Sequence, residues 1–570
     1  MTFAVSKFKA LLPAATFAMA AEFLMGLSDS VICGQIIGEK GLAAVNLMQG
    51  VFETVSFVSM LVAIGASVLF STQLGAGDRQ RAKGFFTLGA LASVAIGLLM
   101  VLVLGVVRAP LLESFGADTQ VTEAAMSYWL WYLPAAALTP PAFYLSTLCY
   151  ADGDARLSLV SYIVQLVGNC ALAVPLTIAM GPGGCALGTG LGAMAAILVL
   201  LVHFRRPGCM LGWSRDFRLS DLVRIMRTSF GDASKNAGKA VLVFALNAYV
   251  IARYGSEALP ILAVGLMTIG IAEVFDGVGN AVQPLVSTYV GEGNVVLVKR
   301  VMRVAMRLAF IEGLGTSLLL IAFPQLMLSL VGLDDPALVP AALQAVRFVS
   351  VGLLGLAMVL LFNSYYVFIG REVLSSSLTL LAVLVVPIGL VLVLDLVCDM
   401  PAGKSTWGVW LSLGLASHVS LALVGAYLMK RRGNRAFPLL LEPAREANIR
   451  VFDLDLVPAA ICATSEAVGE HLRQKGVDAA RAAKAALLVE ETLMVVYDRN
   501  QGRRIQAEVS VDLNDGLTLV LRDDGEIFDL TDVDARISSL RSYLVSNLMT
   551  AIPNRRNLTT TGFNRNVFKL

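Results

Sequence analysis

The chain has 570 residues, of which 57% are hydrophobic and only 15% charged, with a formal net charge of +2. Soluble domains carry about 25% charged residues, so this sequence lacks the polar surface to coat itself in water. The small net charge offers no field for nucleic acid, and the seven cysteines show neither metal-ligand spacing nor a CxxC pair, so they point to no zinc site and no disulfide framework.

Taken in order, the apolar stretches predict spans at 10–37, 43–74, 84–107, 124–150, 157–180 and 184–204. A second set follows at 229–252, 258–290, 301–331, 338–368, 373–397 and 406–429. Each approaches or exceeds the ~20 residues that cross a hydrocarbon core, and Leu91 to Val107 holds no charge at all. Lys7 and Lys9 lead into the first span without a small-residue cleavage site, so that span is expected to stay. Tyr128, Trp129, Trp131 and Tyr132 head the fourth span and read as an interfacial belt. Pro175, Pro284 and Pro387 are expected to kink their helices.

Basic residues recur on alternate loops: Arg79, Arg81 and Lys83; Arg156; Arg205, Arg206, Arg215 and Arg218; Lys299, Arg300 and Arg303; Arg371; and Lys430 to Arg432. The opposite loops are poor in Lys and Arg, with Glu113, Asp118, Glu123, Asp334 and Asp335 among them. Positive loops stay inside, so both termini are expected in the cytoplasm of a multi-pass cell-membrane protein.

The chain repeats itself. Ser71-Thr72-Gln73-Leu74-Gly75-Ala76-Gly77-Asp78 returns as Ser287-Thr288-Tyr289-Val290-Gly291-Glu292-Gly293-Asn294. Gly50-Val51-Phe52-Glu53 matches Gly270-Ile271-Ala272-Glu273, and Gly153 with Leu157-Ser158 matches Gly370 with Leu374-Ser375. The spacing stays between 216 and 220 residues. Six spans per repeat return the chain to its starting side, which makes the halves parallel copies about an axis along the membrane normal. The Gly-x-Gly tips read as tight turns, not phosphate loops, since no lysine or strand-to-helix context accompanies them.

The expected fold is therefore an all-α polytopic membrane protein of about twelve transmembrane helices in two parallel six-helix repeats, followed by a C-terminal α/β sandwich domain. Its parts are an N-terminal lobe at 1–205, a cytoplasmic linker at 206–222, a C-terminal lobe at 223–432 and a cytoplasmic domain at 446–570.

Ionisable groups inside spans are costly and mark pathways. Glu22 and Asp29 share a face of the first span, Glu53 lies in the second, and Glu273 and Asp276 form an i,i+3 pair in the eighth. Asp232, Lys235, Asn236 and Lys239 share a face of the seventh. These spans are equivalent across the repeat, so the groups are expected to line one central cavity. A carboxylate in a low-dielectric cavity holds a proton more tightly and can exchange it for a cationic substrate. Lys235 and Lys239 either offset that negative charge or pair with the acids beside them.

With Asp29-Ser30-Val31-Ile32-Cys33-Gly34, Gly41-Leu42-Ala43-Ala44-Val45, Gln283-Pro284-Leu285-Val286 and Asn363-Ser364-Tyr365, the repeat region resembles the multidrug and toxic compound extrusion (MATE) family. That resemblance implies secondary active efflux of small, often cationic amphipathic compounds, driven by Na⁺ or H⁺ as coupling ion. Asp29 falls at the position of the family's span-one aspartate. The family's further aspartate shortly after a span-five asparagine is missing, for Asn169 is followed by Cys170-Ala171-Leu172-Ala173. The implied protein is a transporter and not an enzyme, its partners a small-molecule substrate and the lipid bilayer. A flippase of lipid-linked or glycolipid substrates is the alternative that the lysines would suit. A membrane-anchored signalling protein with the C-terminal domain as output is another.

Past residue 446 the texture turns amphipathic. Strands are expected at 449–456, 506–512 and 517–522, the last two joined by the Asn514-Asp515-Gly516 turn, with helices at 458–474 and 478–498. This order resembles the ATP-binding domain of histidine kinases and anti-sigma-factor kinases. Glu490-Glu491 stands where its acidic helix motif begins, and Asp523-Asp524-Gly525 where its adenine-contacting DxG lies. The motif's asparagine is absent near Val495, and Ser538-Ser539-Leu540-Arg541-Ser542-Tyr543 replaces a glycine-rich lid. Glu491, Asp523 and Gly525 thus mark a degenerate nucleotide site, ATP is not expected to bind, and no other cofactor is implied. A regulatory role is expected instead, with a cytoplasmic regulatory protein as its partner.

Overall fold

The computed structural model describes the chain apart from residues 1, 38, 115–118, 255–258, 332–335, 398–406, 433–437, 529, 531–543, 545–546, 548–554 and 561–562. The acids expected on the outer loops at Asp118, Asp334 and Asp335, and the 538–543 segment, lie outside the described residues.

The first lobe is built from α1 (Phe3–Ile37), α2 (Glu39–Ala76), α3 (Arg79–Ser114), α4 (Thr119–Ala151), α5 (Ala155–Met180) and α6 (Pro182–Leu200). The second runs through α7 (Ser220–Tyr254), α8 (Leu259–Gly270), α9 (Asp276–Gly291), α10 (Val295–Ala322), α11 (Gln325–Val331), α12 (Val339–Phe368), α13 (Glu372–Leu380), α14 (Val386–Val391) and α15 (Trp407–Arg432). Together they make the twelve spans of a two-lobed bundle. Among the described residues nine helices are individually long and apolar enough to cross a membrane. The remaining spans are α4, α7 and the interrupted α8–α9.

Helix ends overrun the apolar windows. α1 begins at Phe3, α7 at Ser220 and α10 at Val295, because the added turns carry residues such as Lys7, Arg224 and Lys299 beyond the apolar slab. Two of the three prolines expected to kink their helices leave them uninterrupted: α5 runs through Pro175 and α9 through Pro284. Neighbouring helices tolerate such prolines in membrane bundles. Around Pro387 the fifth span of the second lobe widens into π turns at Leu381–Val385 and Leu392–Val397. The eighth span breaks without proline, through a 3₁₀ segment at Ile271–Phe275 after Gly270.

The repeat is written into the turns. Gly77, Gly153, Gly293 and Gly370 all have positive φ. At each, the glycine N–H bonds three residues back and the next N–H five residues back, as in Gly77 to Leu74 and Asp78 to Gln73, or Gly293 to Val290 and Asn294 to Tyr289. This is the Schellman closure that needs a left-handed residue. The first glycine of each Gly-x-Gly does something else. A Cβ on Gly75 would lie 2.3 Å from the Thr288 carbonyl oxygen, and one on Gly291 2.2 Å from that of Thr72.

Gly75 and Gly291 are repeat equivalents, and they touch. So do Ser67 and Gln283, also 216 apart, whose side chains bond at 2.6 Å. Equivalent residues meet only on the axis that relates them. The two contacts lie eight residues apart along α2, about 12 Å at 1.5 Å per residue, so the axis runs lengthwise through the bundle.

The C-terminal domain is a five-stranded antiparallel sheet in the order β1-β2-β3-β5-β4. Its strands are β1 (Ile449–Asp455), β2 (Gln506–Asp512), β3 (Thr518–Asp523), β4 (Arg555–Thr560) and β5 (Phe563–Lys569). A short α16 (Pro443–Glu446) precedes it. α17 (Pro458–Gln474) and α18 (Ala479–Arg499) cover one face, burying Ile461, Val468, Leu488 and Leu493 against Val509, Val511, Leu519 and Leu521. Strand alternation sends Glu508, Ser510 and Arg522 to the other face. That face packs on the bundle and not on water, which is why β2 is buried on both sides. β4 and β5 were not among the strands expected from the sequence.

Candidate functional site

Asp29 sits on α1, 7% exposed. Tyr128 Oη donates to its Oδ2 at 2.5 Å, Thr189 Oγ1 to the same oxygen at 2.9 Å, and Asn169 Nδ2 to Oδ1 at 3.0 Å. Helices α4, α6 and α5 supply these three donors, so the acid ties four elements of one lobe together. All three donors are neutral, and hydrogen bonds to a charged group are the stronger kind. Thr189 Oγ1 also lies 3.3 Å from Asn169 Oδ1, a second acceptor for the same hydroxyl.

A cavity of about 190 Å³ opens beside Asp29, walled by Met25, Phe52, Met60 and Tyr132 with Ser56 and Gln165 among its polar groups. Phe52 packs on Tyr132 and Tyr128, with ring centroids 4.9 and 5.9 Å apart. The aromatic head of α4 is therefore no interfacial belt. Tyr128, Trp129 and Tyr132 are buried, and Trp131 is the one of the four turned outward. The missed signal was spacing: Tyr128, Tyr132 and Thr139 fall on one helical face.

The second lobe handles charge differently. Lys235 and Lys239, one turn apart on α7, pair with Asp276 and Glu273 respectively. The 3₁₀ segment before α9 sets both acids toward α7. These pairs line an apolar cavity of about 120 Å³ with Leu242, Leu266, Leu353 and Leu356. A smaller cavity of about 60 Å³ lies between the lobes, where Met60 and Tyr162 meet Lys235, Asp276 and Gln283. Among the described residues, the charged groups thus line separate but adjoining cavities. Asp29 belongs to the first lobe, the Lys–acid pairs to the second, and the seam cavity shares walls with both. Glu53 is half-buried on α2. The side chains of Glu22 and Asp232 lie outside the described residues.

At the end of the bundle that carries the C-terminal domain, buried His203 lies between Asp152, at 2.9 Å, and Asp154, at 3.1 Å. Asp152 also accepts from the backbone N–H of Met210. This knot fastens the start of the linker to the α4–α5 turn.

In the C-terminal domain Asp523 is buried and accepts from Asn564 Nδ2 at 2.9 Å and the Gly525 N–H at 3.1 Å. Burial pushes its carboxyl up to about 7. A Cβ at Gly525 would strike the Asn500 amide at 2.6 Å, and Asn500 accepts from the Glu526 N–H. The chain's own amides thus occupy the surroundings of the DxG. Glu491 is half-buried on α18.

A family model described as MatE matches residues 14–174 and 240–393. Among solved structures, a MOP superfamily transporter from Pyrococcus furiosus, described by a binding pocket of reverse polarity that suggests a different function, superposes with a TM-score of 0.69 at 19% identity, covering 75% of this chain and 96% of its own. An outward-facing multidrug resistance MATE transporter gives 0.68 at 20% identity with the same coverage. The Vibrio cholerae MATE transporter VcmN in its bent form gives 0.66 at 18%, covering 75% of this chain and 97% of its own. No curated protein sequence matches the chain.

Proposed function

Because this chain belongs to the multidrug and toxic compound extrusion family, and so is a multi-pass membrane transporter and not an enzyme, we propose that it exports small amphipathic compounds in exchange for protons taken up at Asp29. The observation that supports this reading is a buried carboxylate held by three neutral donors beside a cavity. Tyr128 and Asn169 point hydrogens at the carboxylate, an arrangement that suits an anion awaiting a proton better than one sharing a metal ion with other oxygens.

When a proton arrives at Oδ2, the Thr189 hydroxyl loses its charged acceptor and turns to Asn169 Oδ1. Tyr128 loses the charge that anchors it. Protonation therefore loosens the bonds tying α1 to α4, α5 and α6, and favours a different packing of the lobe. A cationic amphiphile in the cavity gains from an ionised Asp29 and is released once that charge is gone. Most of its affinity comes from the apolar wall. The basic loops lie at the end that carries the C-terminal domain, so that end is read as cytoplasmic in a cell membrane.

The test is uptake of a panel of cationic and anionic compounds into inside-out vesicles under imposed H⁺ or Na⁺ gradients. Wild type is expected to respond to the H⁺ gradient, and Asp29→Asn to lose gradient-driven transport while remaining folded and inserted. Transport by Asp29→Asn at the wild-type rate would remove the reading. A second reading, translocation of lipid-linked anions, is favoured by Lys235 and Lys239 on the apolar wall of the second-lobe cavity. Anionic lipid moving in the same vesicles, with no response from the cations, would select it.

A further inference from the structure

The C-terminal domain meets the bundle through charged side chains buried at its sheet face. Arg522 of β3 is fully buried between Glu508 of β2, at 2.6 Å, and Glu292, one residue past α9. Its guanidinium lies 5.2 Å from the ring centre of Tyr289. Arg565 of β5 pairs with Glu292 at 2.6 Å, and donates to the carbonyl oxygens of Leu74 and Gly75 at 2.9 and 2.7 Å. Asn294, the cap of α10, donates to Ser510 at 2.8 Å. On the same side Lys7 pairs with Asp524, Arg300 with Asp453, and Phe3 packs edge-on against Phe563.

Arg565 decides the meaning of this contact. Leu74 and Gly75 end the second span of the first lobe, and Gly291 and Glu292 end the equivalent span of the second. These are the helix ends that touch across the repeat axis, glycine against backbone. One guanidinium reaches both only because they touch. Its fork of donors spans a few ångströms and is rigid, so it cannot hold both ends once they part. Arg522 adds a second tie from the domain to Glu292 of the second lobe, so parting of the helix ends would strip Arg565 of either its carboxylate or its carbonyls and leave a buried charge short of partners.

We infer that the C-terminal domain is a clamp selective for one conformation: it holds the cytoplasmic ends of the two lobes together through Arg565 and Glu292, and must let go of one lobe before that end can open. The inference rests on the export reading above, taken to proceed by opening of the bundle to one side of the membrane and then the other. Its partner is the chain's own paired helix ends, and its consequence is that whatever loosens the domain favours the inward-open state.

The experiment measures the distance between spin labels at Gln80→Cys and Arg371→Cys, exposed positions of the two lobes on the domain side. It uses the full chain with its native cysteines replaced, reconstituted in lipid discs. Wild type is expected to show one dominant short distance. Arg565→Ala should add a longer population that becomes the major one, and Arg565→Lys should do the same, since the three donors of an ammonium radiate from one nitrogen and lack the fork that spans both helix ends. Arg504→Ala, a change at an exposed tail residue paired with Asp455 of the same domain, should leave the distribution unchanged. Protease resistance of the tail reports whether Arg565→Ala keeps its fold. Should it not, Glu292→Gln weakens the same bridge from the bundle side and is expected to give the same long population. Wild-type distributions in both Arg565→Lys and Glu292→Gln would overturn the clamp. A chain that opens on loss of Arg565 yet moves no compound under any gradient supports the clamp and removes the transport reading. One that transports without any change in distance does the reverse.

Discussion

In the first lobe a buried carboxylate, Asp29, is met by a phenol, an amide and a hydroxyl; in the second, Asp276 and Glu273 are met by Lys235 and Lys239. Both lobes descend from one six-helix plan, with the same glycine turns and the same helix order. What differs is the compensation of charge. Neutral donors stabilise an anion without cancelling its charge. An ammonium cancels the charge outright, and a cancelled pair in a low-dielectric wall is fixed by the penalty of separating it. On the proposed function, the first lobe is the one that changes state with protonation and the second the one that stays constant.

The largest effect that would break this comparison comes from removing one half of a second-lobe pair. Lys235→Met leaves Asp276 near the lobe seam without its ammonium and is expected to cost about 3–5 kcal/mol, read as a lower melting temperature in detergent. Adding Asp276→Leu should restore most of it. If the double variant also transports at the wild-type rate, the pair is structural, as the comparison requires.

A smaller effect sharpens the other side. Tyr128→Phe removes one donor to a charged acceptor, worth about 1.5–3 kcal/mol. Proton-driven export should fall by roughly ten- to a hundredfold at 1.4 kcal/mol per decade, with insertion and folding kept. An unchanged rate would mean that the donor ring around Asp29 does not tune coupling.

The smallest effect uses a carboxylate of the same kind outside the membrane. Asp523 also rests on neutral donors, and burial raises it to about 7. Its folded value lies above its unfolded one, so the stability it contributes is complete in acid and is lost as pH climbs through about 7. Between pH 6 and 8 that loss is about 1.4 kcal/mol at 1.36 kcal/mol per unit. Glu508, which burial also lifts to about 7, adds a parallel loss. Pulse proteolysis of the tail in the full chain at the two pH values should show Asp523→Asn reducing the pH dependence by roughly half. An undiminished dependence in that variant would show that Asp523 is ionised throughout.

Hydropathy, loop charge and the 216-residue echo are local or one-dimensional signals, and from them the sequence by itself determined the twelve spans, the two parallel halves and the attached α/β domain. Asp29 stood out for a similar reason, since a charge within an apolar run needs no neighbour to be conspicuous. Its partners did not stand out, because Tyr128, Asn169 and Thr189 lie 99 to 160 residues away and are unremarkable side chains until three helices converge. The aromatic head of α4 differs from its sequence expectation for that reason: composition alone does not tell a belt facing lipid from a wall facing a carboxylate. The strand pattern of the tail showed alternation, but alternation leaves open what covers the polar face. Only the tertiary structure decided that Arg522 and Arg565 meet Glu292 and the carbonyls of α2, because a charge buried at an interface is stable only when its partner, however distant in the chain, is brought within bonding reach.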